Sequence, residues 1–225
     1  MITVFLPCRK GSQRVPDKNT RPFAGEEGGL LVLKLKQLLS ASRIDRVVLS
    51  TNDEKVMALA GTVEDSRLEV KVRPDALSSS STSTDELIDY VPNLIETGVV
   101  LWTHVTSPFV IGADYDQMIA AYDQALTEGY DSLMTVTKVQ KFLWNEQEPI
   151  NYDRNKEKWP RTQTIAPVWE VNSAAFIAPV EVYKNLGDRI GNKPHFYELE
   201  ESKGFDIDWE LDFLMAEKMW EHGKV

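Results

Sequence analysis

The residues best suited to chemistry in this sequence stand near its start. Positions 9–21 hold Arg9, Lys10, Arg14, Lys18 and Arg21 against a single acid, Asp17, in a chain whose net charge is −10. In a molecule that is negative overall, such a local excess of cations is either a solvated loop or a pocket gathered for an anion. Gly11 lets the backbone turn and approach a ligand closely. Ser12 offers a hydroxyl, and Arg9, Arg14 and Lys18 can neutralise phosphate oxygens. The glycine–lysine–serine spacing of a Walker loop is absent, so a phosphate bound here would be held in another way.

A second constellation lies near the end. Asp206 and Asp208, two apart on an extended segment, project to the same side. Two carboxylates on one face repel unless a cation joins them, and Mg2+ prefers oxygen ligands. The same residues also suit a helix start, with Asp208 as N-cap of a helix over Trp209–Trp220 and acids in its first turn. The residues alone favour the cap. Cys8 lies beside cations that would lower its thiol pKa, but its place at a strand end reads as packing. The three histidines and one cysteine form no zinc spacing, and no nucleophile-elbow sequence is present.

These groups need a scaffold to position them. Short β-rich apolar runs alternate with helical patterns, which predicts an α/β fold with a mostly parallel sheet. Strands are expected at Ile2–Pro7, Arg46–Thr51, Leu68–Val72, Val99–His104, Ser132–Thr137 and Asn172–Ile177. Helices are expected at Leu30–Leu39, Asp53–Ala60, Ser83–Ile95, Ala113–Leu126 and Trp209–Trp220. In an open α/β sheet ligands sit beyond the carboxyl ends of the strands, which is where the cationic loop falls. The polar stretch Lys138–Val168, with Trp144, Tyr152 and Trp159, breaks the rhythm and reads as a lobe inserted at about 138–168.

Composition bounds the rest. A length of 225 residues suits a single domain over 1–225 with that lobe as its appendage. One cysteine excludes an internal disulfide and points to a reducing compartment, so a cytoplasmic protein is expected. No apolar run reaches the roughly 20 residues of a membrane span. The acidic balance argues against nucleic acid as a partner.

The string Pro7-Cys8-Arg9-Lys10-Gly11-Ser12-Gln13-Arg14-Val15-Pro16-Asp17-Lys18-Asn19 resembles the signature of the acylneuraminate cytidylyltransferases, roughly P-A-R-x-G-S-K-R-x-P-x-K-N. Further segments resemble the same family in the same order. Val47–Asp53 is similar to its strand ending in S-T-D-D, and Arg73–Ser78 to its R-P-x-x-L-S element. His104–Pro108 is similar to Q-P-T-S-P, and Phe205–Asp212 to I-D-I-D-x-x-x-D. Together these landmarks span the chain from Leu6 to about Glu217.

The resemblance implies a three-layer nucleotide-binding fold whose inserted lobe makes a two-fold homodimer. It implies transfer of CMP from CTP to an acidic nine-carbon keto sugar, with Mg2+ as cofactor and pyrophosphate as the other product. By carry-over, Arg9, Gly11, Ser12, Lys18 and Asn19 hold the triphosphate, while Arg73 and Thr84 select cytosine. His104, Lys141, Arg161, Gln163 and Asn172 meet the sugar, the Arg161 segment at its carboxylate, which an arginine binds bidentately. With the cationic loop present, metal becomes the favoured role of Asp206 and Asp208. Arg9, Lys18 and Asp208 are then the residues expected to carry catalysis by positioning and charge neutralisation.

Departures from the family pattern bear on the acceptor. His104 replaces a glutamine, offering one donor and one acceptor on a ring charged below roughly pH 6.5. Glu170 replaces an arginine, Ser173 a glycine and Asn52 an aspartate. These changes predict that N-acetylneuraminate is not the best substrate and that a related nonulosonate, deaminated or dideoxy-diamino, is preferred. Two rivals stand beside this reading. One is activation of the eight-carbon acid Kdo, although Thr106-Ser107-Pro108 lacks the aspartate of that branch. The other is a relative that binds CTP or a CMP-sugar without turnover.

Overall fold

Strand residues in this chain alternate between two apolar faces, and the sheet they form is covered on both. In the computed structural model, which describes residues 1–12, 14–79 and 81–223, the elements run β1 (Ile2–Pro7), α1 (Gly29–Ser40), β2 (Arg46–Thr51), α2 (Glu54–Ala60), β3 (Leu68–Val72), α3 (Thr84–Leu94), β4 (Val99–Trp102), α4 (Gly112–Thr127), β5 (Ser132–Val139), β6 (Val168–Pro179), α5 (Val180–Leu186), β7 (Pro194–Glu198) and α6 (Glu210–Glu221). Val4 and Leu6 of β1, Val47 and Leu49 of β2 and Leu101 of β4 pack with α1, α2, α4 and α6. The intervening Phe5, Val48, Val100 and Trp102 pack with Ile88 and Val91 of α3 and Val180 and Tyr183 of α5. This period of two, buried on both sides, makes the three layers.

The seven strands lie in the order β3-β2-β1-β4-β6-β5-β7. All neighbouring pairs are parallel except those of β6, which runs antiparallel to β4 and β5. The mostly parallel sheet expected from the pattern is therefore present. From β1 the chain winds outward to β2 and β3, then crosses back to place β4 on the other side of β1. That reversal opens a crevice beyond the carboxyl ends of β1 and β4, the usual ligand position in open α/β sheets. No helix among the described residues is long and apolar enough to cross a membrane.

Local signals set the helix boundaries. Asp53 caps α2 by accepting from the Lys55 amide, and Ser83 caps α3 in a reciprocal pair with Glu86. At α6 the capping differs from the expected one. The Asp212 carboxylate accepts from the amides of Asp208 (3.0 Å) and Trp209 (2.7 Å), so the Asp208 side chain is not the cap.

Between β5 and β6 the chain makes its long excursion, whose regular structure is a bridge between Trp144 and Pro149 and a short 3-10 turn at Thr162–Thr164. Asn151, 6 % exposed, staples it. Its Oδ1 accepts from the Leu143 amide (3.2 Å), and its Nδ2 donates to the carbonyls of Lys141 (2.9 Å) and Ala166 (2.9 Å). Phe142 packs edge-on against Tyr152 and Trp159, yet Trp159 stays 68 % exposed. Because truncating Asn151 strands buried backbone groups, Asn151→Ala should cost about 1–3 kcal/mol. Chemical denaturation beside the exposed control Asn155→Ala, expected within about 0.5 kcal/mol of the parent, checks this; equal stability of the two variants would refute the staple.

Candidate active site

The cationic loop is held at both ends by backbone and amide contacts. The Cys8 amide donates to the Ser50 carbonyl at 2.9 Å, which carries the chain straight out of β1 beside β2. Asn52 Oδ1 accepts from the Lys10 amide (2.9 Å), and Asn19 Nδ2 donates to the Arg9 carbonyl (3.4 Å). Gly11 turns the loop at φ +79°, a conformation that favours glycine.

The loop then closes on the acidic segment ahead of α6. Lys18 Nζ donates to the Ile207 carbonyl at 2.7 Å, and the Ile207 amide donates to the Thr106 carbonyl beyond β4 at 3.0 Å. Arg14 pairs with Asp208 at 2.6 Å and lies over the Trp209 ring. Arg21 forks onto Glu210 at 2.9 and 3.1 Å, with its guanidinium 3.8 Å from the centre of the Phe213 ring.

Two cavities flank this clasp. One, of about 500 Å3, is lined by Arg9, Ser12, Arg14, Lys18 and Asn19 of the loop, Thr84, His104, Thr106 and Arg189, with Asp206 and Asp208. The other, of about 560 Å3, is lined by Lys138, Lys141, Glu170 and Asn172 among others. Ser173, Asp206 and Asp208 line both. A group seated in one cavity and a group seated in the other thus meet across two carboxylates. Ser173 holds this wall at φ +59°, a left-handed conformation that costs a non-glycine residue roughly 1–2 kcal/mol.

Burial and charge set the protonation states. Burial pushes the Asp206 carboxyl above its ordinary value; the Thr106 hydroxyl opposes the shift, Asp208 adds to it and Lys18 opposes it. Its Oδ1 is buried with no hydrogen-bond partner. Burial lowers the Lys18 pKa, and Asp206 and Asp208 offset this. His104 is pushed down to about 3 by burial, then by Arg189 and Lys18, so it does not gain charge near pH 6.5 as its type alone suggests. Burial raises the Cys8 thiol to about 12, outweighing the nearby Arg73. Cys8 is therefore an inert packing group.

No group of three or more His, Cys, Asp or Glu side chains that could hold a metal occurs among the described residues. Asp206 and Asp208 nevertheless fit a hard cation. Mg2+ keeps most of its shell as water and substrate phosphate and takes only one or two carboxylates, and the orphaned Asp206 Oδ1 offers such a ligand.

Most of the residues singled out in the sequence converge here. Arg9, Ser12, Lys18, Asn19, Thr84, His104, Asp206 and Asp208 line the first cavity, and Lys141 and Asn172 the second. His104 lines the loop-side cavity, and Asn172 the other, with Ser173 on the wall that both share. Arg73 is buried near Cys8 and lines neither cavity, its guanidinium donating to Ser50 Oγ (3.1 Å) and the Ser50 carbonyl (2.8 Å). Arg161 and Gln163 sit on the excursion, exposed, and line neither cavity. Arg189 lines the first cavity although no sequence motif marks it; an isolated arginine in a polar loop after α5 gives no signal of its own.

The chain matches the cytidylyltransferase family over residues 3–221. It is 26% identical to N-acylneuraminate cytidylyltransferase A of Danio rerio over 96% of this chain and 50% of that protein. It is 22% identical to N-acylneuraminate cytidylyltransferase of Streptococcus agalactiae serotype V over 93% of this chain and 51% of the relative. The chain thus spans about half the length of these curated relatives. Pseudaminic acid cytidylyltransferase of Campylobacter jejuni is 22% identical over 96% of this chain and 94% of its own length. In fold, a CMP:2-keto-3-deoxy-manno-octonic acid synthetase complexed with CTP superposes with a TM-score of 0.69 at 13% identity, covering 99% of each chain. 4-Diphosphocytidyl-2C-methyl-D-erythritol synthase of Anaerococcus prevotii gives 0.70 at 13% identity, over 98% of this chain and 96% of the other.

The raised Asp206 pKa carries a stability consequence. Below the ordinary carboxyl value of 3.8 the group is protonated in both folded and unfolded chains and carries no penalty. As pH rises through the higher folded value, a buried charge must form and stability falls. In metal-free protein, Asp206→Asn should therefore melt above the parent at pH 7.5, and the gain should shrink as pH drops toward 4. Thermal melts at several pH values in chelator test this; an Asn variant less stable than the parent at neutral pH would contradict it.

Proposed function

Because the chain belongs to the cytidylyltransferase family, matching it over nearly its whole length, we propose that it joins CMP from CTP to a sialic-acid-like nonulosonate. The observation that carries this reading is the pair of cavities that share Ser173, Asp206 and Asp208. One is ringed by the phosphate-suited loop; the other, with Lys138, Lys141 and Asn172 beside Glu170, Glu201, Asp206, Asp208 and Asp212, suits hydroxyl and amino groups, so the acceptor would seat these there and reach past the shared wall toward His104.

In the proposed reaction the anomeric hydroxyl of a 2-keto-3-deoxy acid attacks the α-phosphorus of CTP. A new O–P bond forms, the bond to the β-phosphate bridging oxygen breaks, pyrophosphate leaves, and the hydroxyl proton passes to solvent. Arg9, Ser12, Lys18 and Asn19, with Gly11 shaping the loop, bind the triphosphate and offset charge on the leaving pyrophosphate. Arg14 loosens from Asp208 as phosphate oxygens compete for its guanidinium. Thr84 and Arg73 serve the cytosine end, Arg73 after a turn away from Ser50. Asp206 and Asp208 would hold Mg2+, which when bound offsets phosphate charge at the reacting centre. Lys141, Asn172 and His104 orient the acceptor.

The acceptor proposed is a nonulosonate carrying amino or amide groups beyond the single one of N-acetylneuraminate. Glu170 lines the second cavity and forms no ion pair among the described residues. An acid aimed there repels an acidic acceptor unless it meets a donor such as an amino or amide N–H. The near full-length match to a pseudaminic acid cytidylyltransferase supports this choice. Pyrophosphate release with CTP, Mg2+ and a panel of N-acetylneuraminate, Kdo, a deaminated nonulosonate and a diamino nonulosonate tests it. The diamino acid should give the highest kcat/KM; N-acetylneuraminate ahead by tenfold, about 1.4 kcal/mol, would overturn the choice. Release with none of them would favour a CTP-binding relative without turnover.

A second copy of the chain is proposed as partner. Trp159, Trp144, Phe142 and Ile150 are left exposed on the excursion, a grouping that monomers seldom leave to solvent. Arg161 and Gln163 lie on the same lobe and would reach the partner's acceptor cavity. Light scattering at tens of micromolar should give a dimer; a monomer there would refute both the pairing and the shared site.

A further inference from the structure

Arg189 is a cation in an unusual setting. It sits in the loop after α5, half-buried, with its guanidinium 3.7 Å from the centre of the Phe176 ring and 5.2 Å from that of Trp102. Among the described residues its guanidinium makes no hydrogen bond and no ion pair. The aromatic faces of β4 and β6 ease its removal from water, but its five N–H donors stay unspent. Arg189 lines the first cavity, so those donors have somewhere to point.

His104 stands beside it on the same tryptophan. Trp102 Nε1 donates to His104 Nε2 at 2.9 Å. An indole nitrogen can only donate, so Nε2 must accept through its lone pair. The ring is then neutral with its proton on Nδ1, and Nδ1–H has no partner among the described residues. The corner made by Arg189 and His104 thus offers donors alone, one set charged and planar.

Its place in the sheet says which ligand group it meets. The triphosphate-suited loop follows β1, and Arg73 follows β3, so the nucleotide occupies the β1–β3 half of the crevice. Trp102 and Phe176 belong to β4 and β6, on the other side of β1. The other cations of the cavity are engaged elsewhere: Arg14 with Asp208, Lys18 with the Ile207 carbonyl, and Arg9 with the carbonyls of its own loop. We propose that Arg189, with His104 beside it, binds the carboxylate of the acceptor acid and sets the enzyme's demand for an acidic sugar, a role the family resemblance gives instead to Arg161, which lines neither cavity. This rests on the cytidylyltransferase reading above. A guanidinium fork matches a carboxylate in two parallel hydrogen bonds, which a lysine cannot reproduce, and His104 Nδ1–H adds a third donor to the same oxygens.

The test is steady-state kinetics with CTP, Mg2+ and the acceptor that the parent turns over best, beside its 1-carboxamide. Arg189→Met keeps the packing on Phe176 and Trp102 but removes charge and fork, while Arg189→Lys keeps charge alone. For Arg189→Met, the acceptor KM should rise at least tenfold while the KM for CTP stays within twofold; Arg189→Lys should fall between it and the parent. The parent should prefer acid over amide by tenfold or more, and Arg189→Met should lose most of that preference. A rise in the KM for CTP instead would assign Arg189 to phosphate. An undiminished preference for the acid in Arg189→Met would place the carboxylate elsewhere, with Lys141 the next group to vary. Should Arg189→Met fail to fold, an Arg189→Lys variant with parental KM and acid preference would by itself overturn the proposal. A parent that turns over neither acid nor any panel sugar refutes the enzyme reading itself, an outcome distinct from these.

Discussion

The cleft exists because the start of the chain is clasped to a segment nearly two hundred residues later. Ion pairs are the visible part of that clasp, but they are not what closes it. Arg14 and Asp208 are each about half exposed, and such pairs contribute on the order of 0–1 kcal/mol. The apolar groups around them are fully buried. Val15 in the loop, Phe23 just after it, and Ile207 and Phe213 across from them are at most 1% exposed, and each contributes roughly 1.5–3 kcal/mol on burial. Phe23 meets Phe213 and Trp220 edge-on at 5.4 and 6.0 Å. Packing therefore joins the two segments, and the charged residues are left free to serve as a site.

That freedom has a cost, and the cost is concentrated at the cleft. Asp206 is held with an orphaned oxygen and a raised pKa, Lys18 with a lowered one. Ser173 occupies a left-handed backbone position on the wall between the cavities. Arg189 is partly withdrawn from water onto two aromatic rings, with no ion pair among the described residues. In the proposed reaction, phosphates and a divalent ion would relieve Lys18 and Asp206, and a carboxylate would relieve Arg189. The cost thus falls on the groups proposed to bind.

Much of this could be read in the residues, and the parts that could not share a cause. The strands β1, β2 and β4, the starts of α2 and α3, and the cationic loop are local patterns, legible without neighbours. Asp206 and Asp208 were legible as a pair because strand geometry places i and i+2 on one side. Their environment was not, since it depends on Thr106 and Lys18 from other elements. That Asp208 does not cap α6 turned on Asp212, which takes the two amides itself. His104 reads as a group titrating near neutrality until Trp102 and Arg189 are set against it. Arg189 has no motif, and its ring partners lie at positions 102 and 176. The strand β7 and the helix α5, at five and seven residues, are too short to register a period.

The central claim is that nucleotide and acceptor meet across the wall of Ser173, Asp206 and Asp208. The most direct measurement is a crystal structure of the protein with a non-hydrolysable CTP analogue and Mn2+, using the metal's anomalous signal to place it. The account predicts Mn2+ against Asp206 and Asp208, the α-phosphorus at that wall, and the β- and γ-phosphates on Arg9, Ser12 and Lys18, with the cavity around Asn172 left open to the acceptor. A nucleotide bound with its triphosphate turned away from the loop, or metal density remote from both carboxylates, would contradict it.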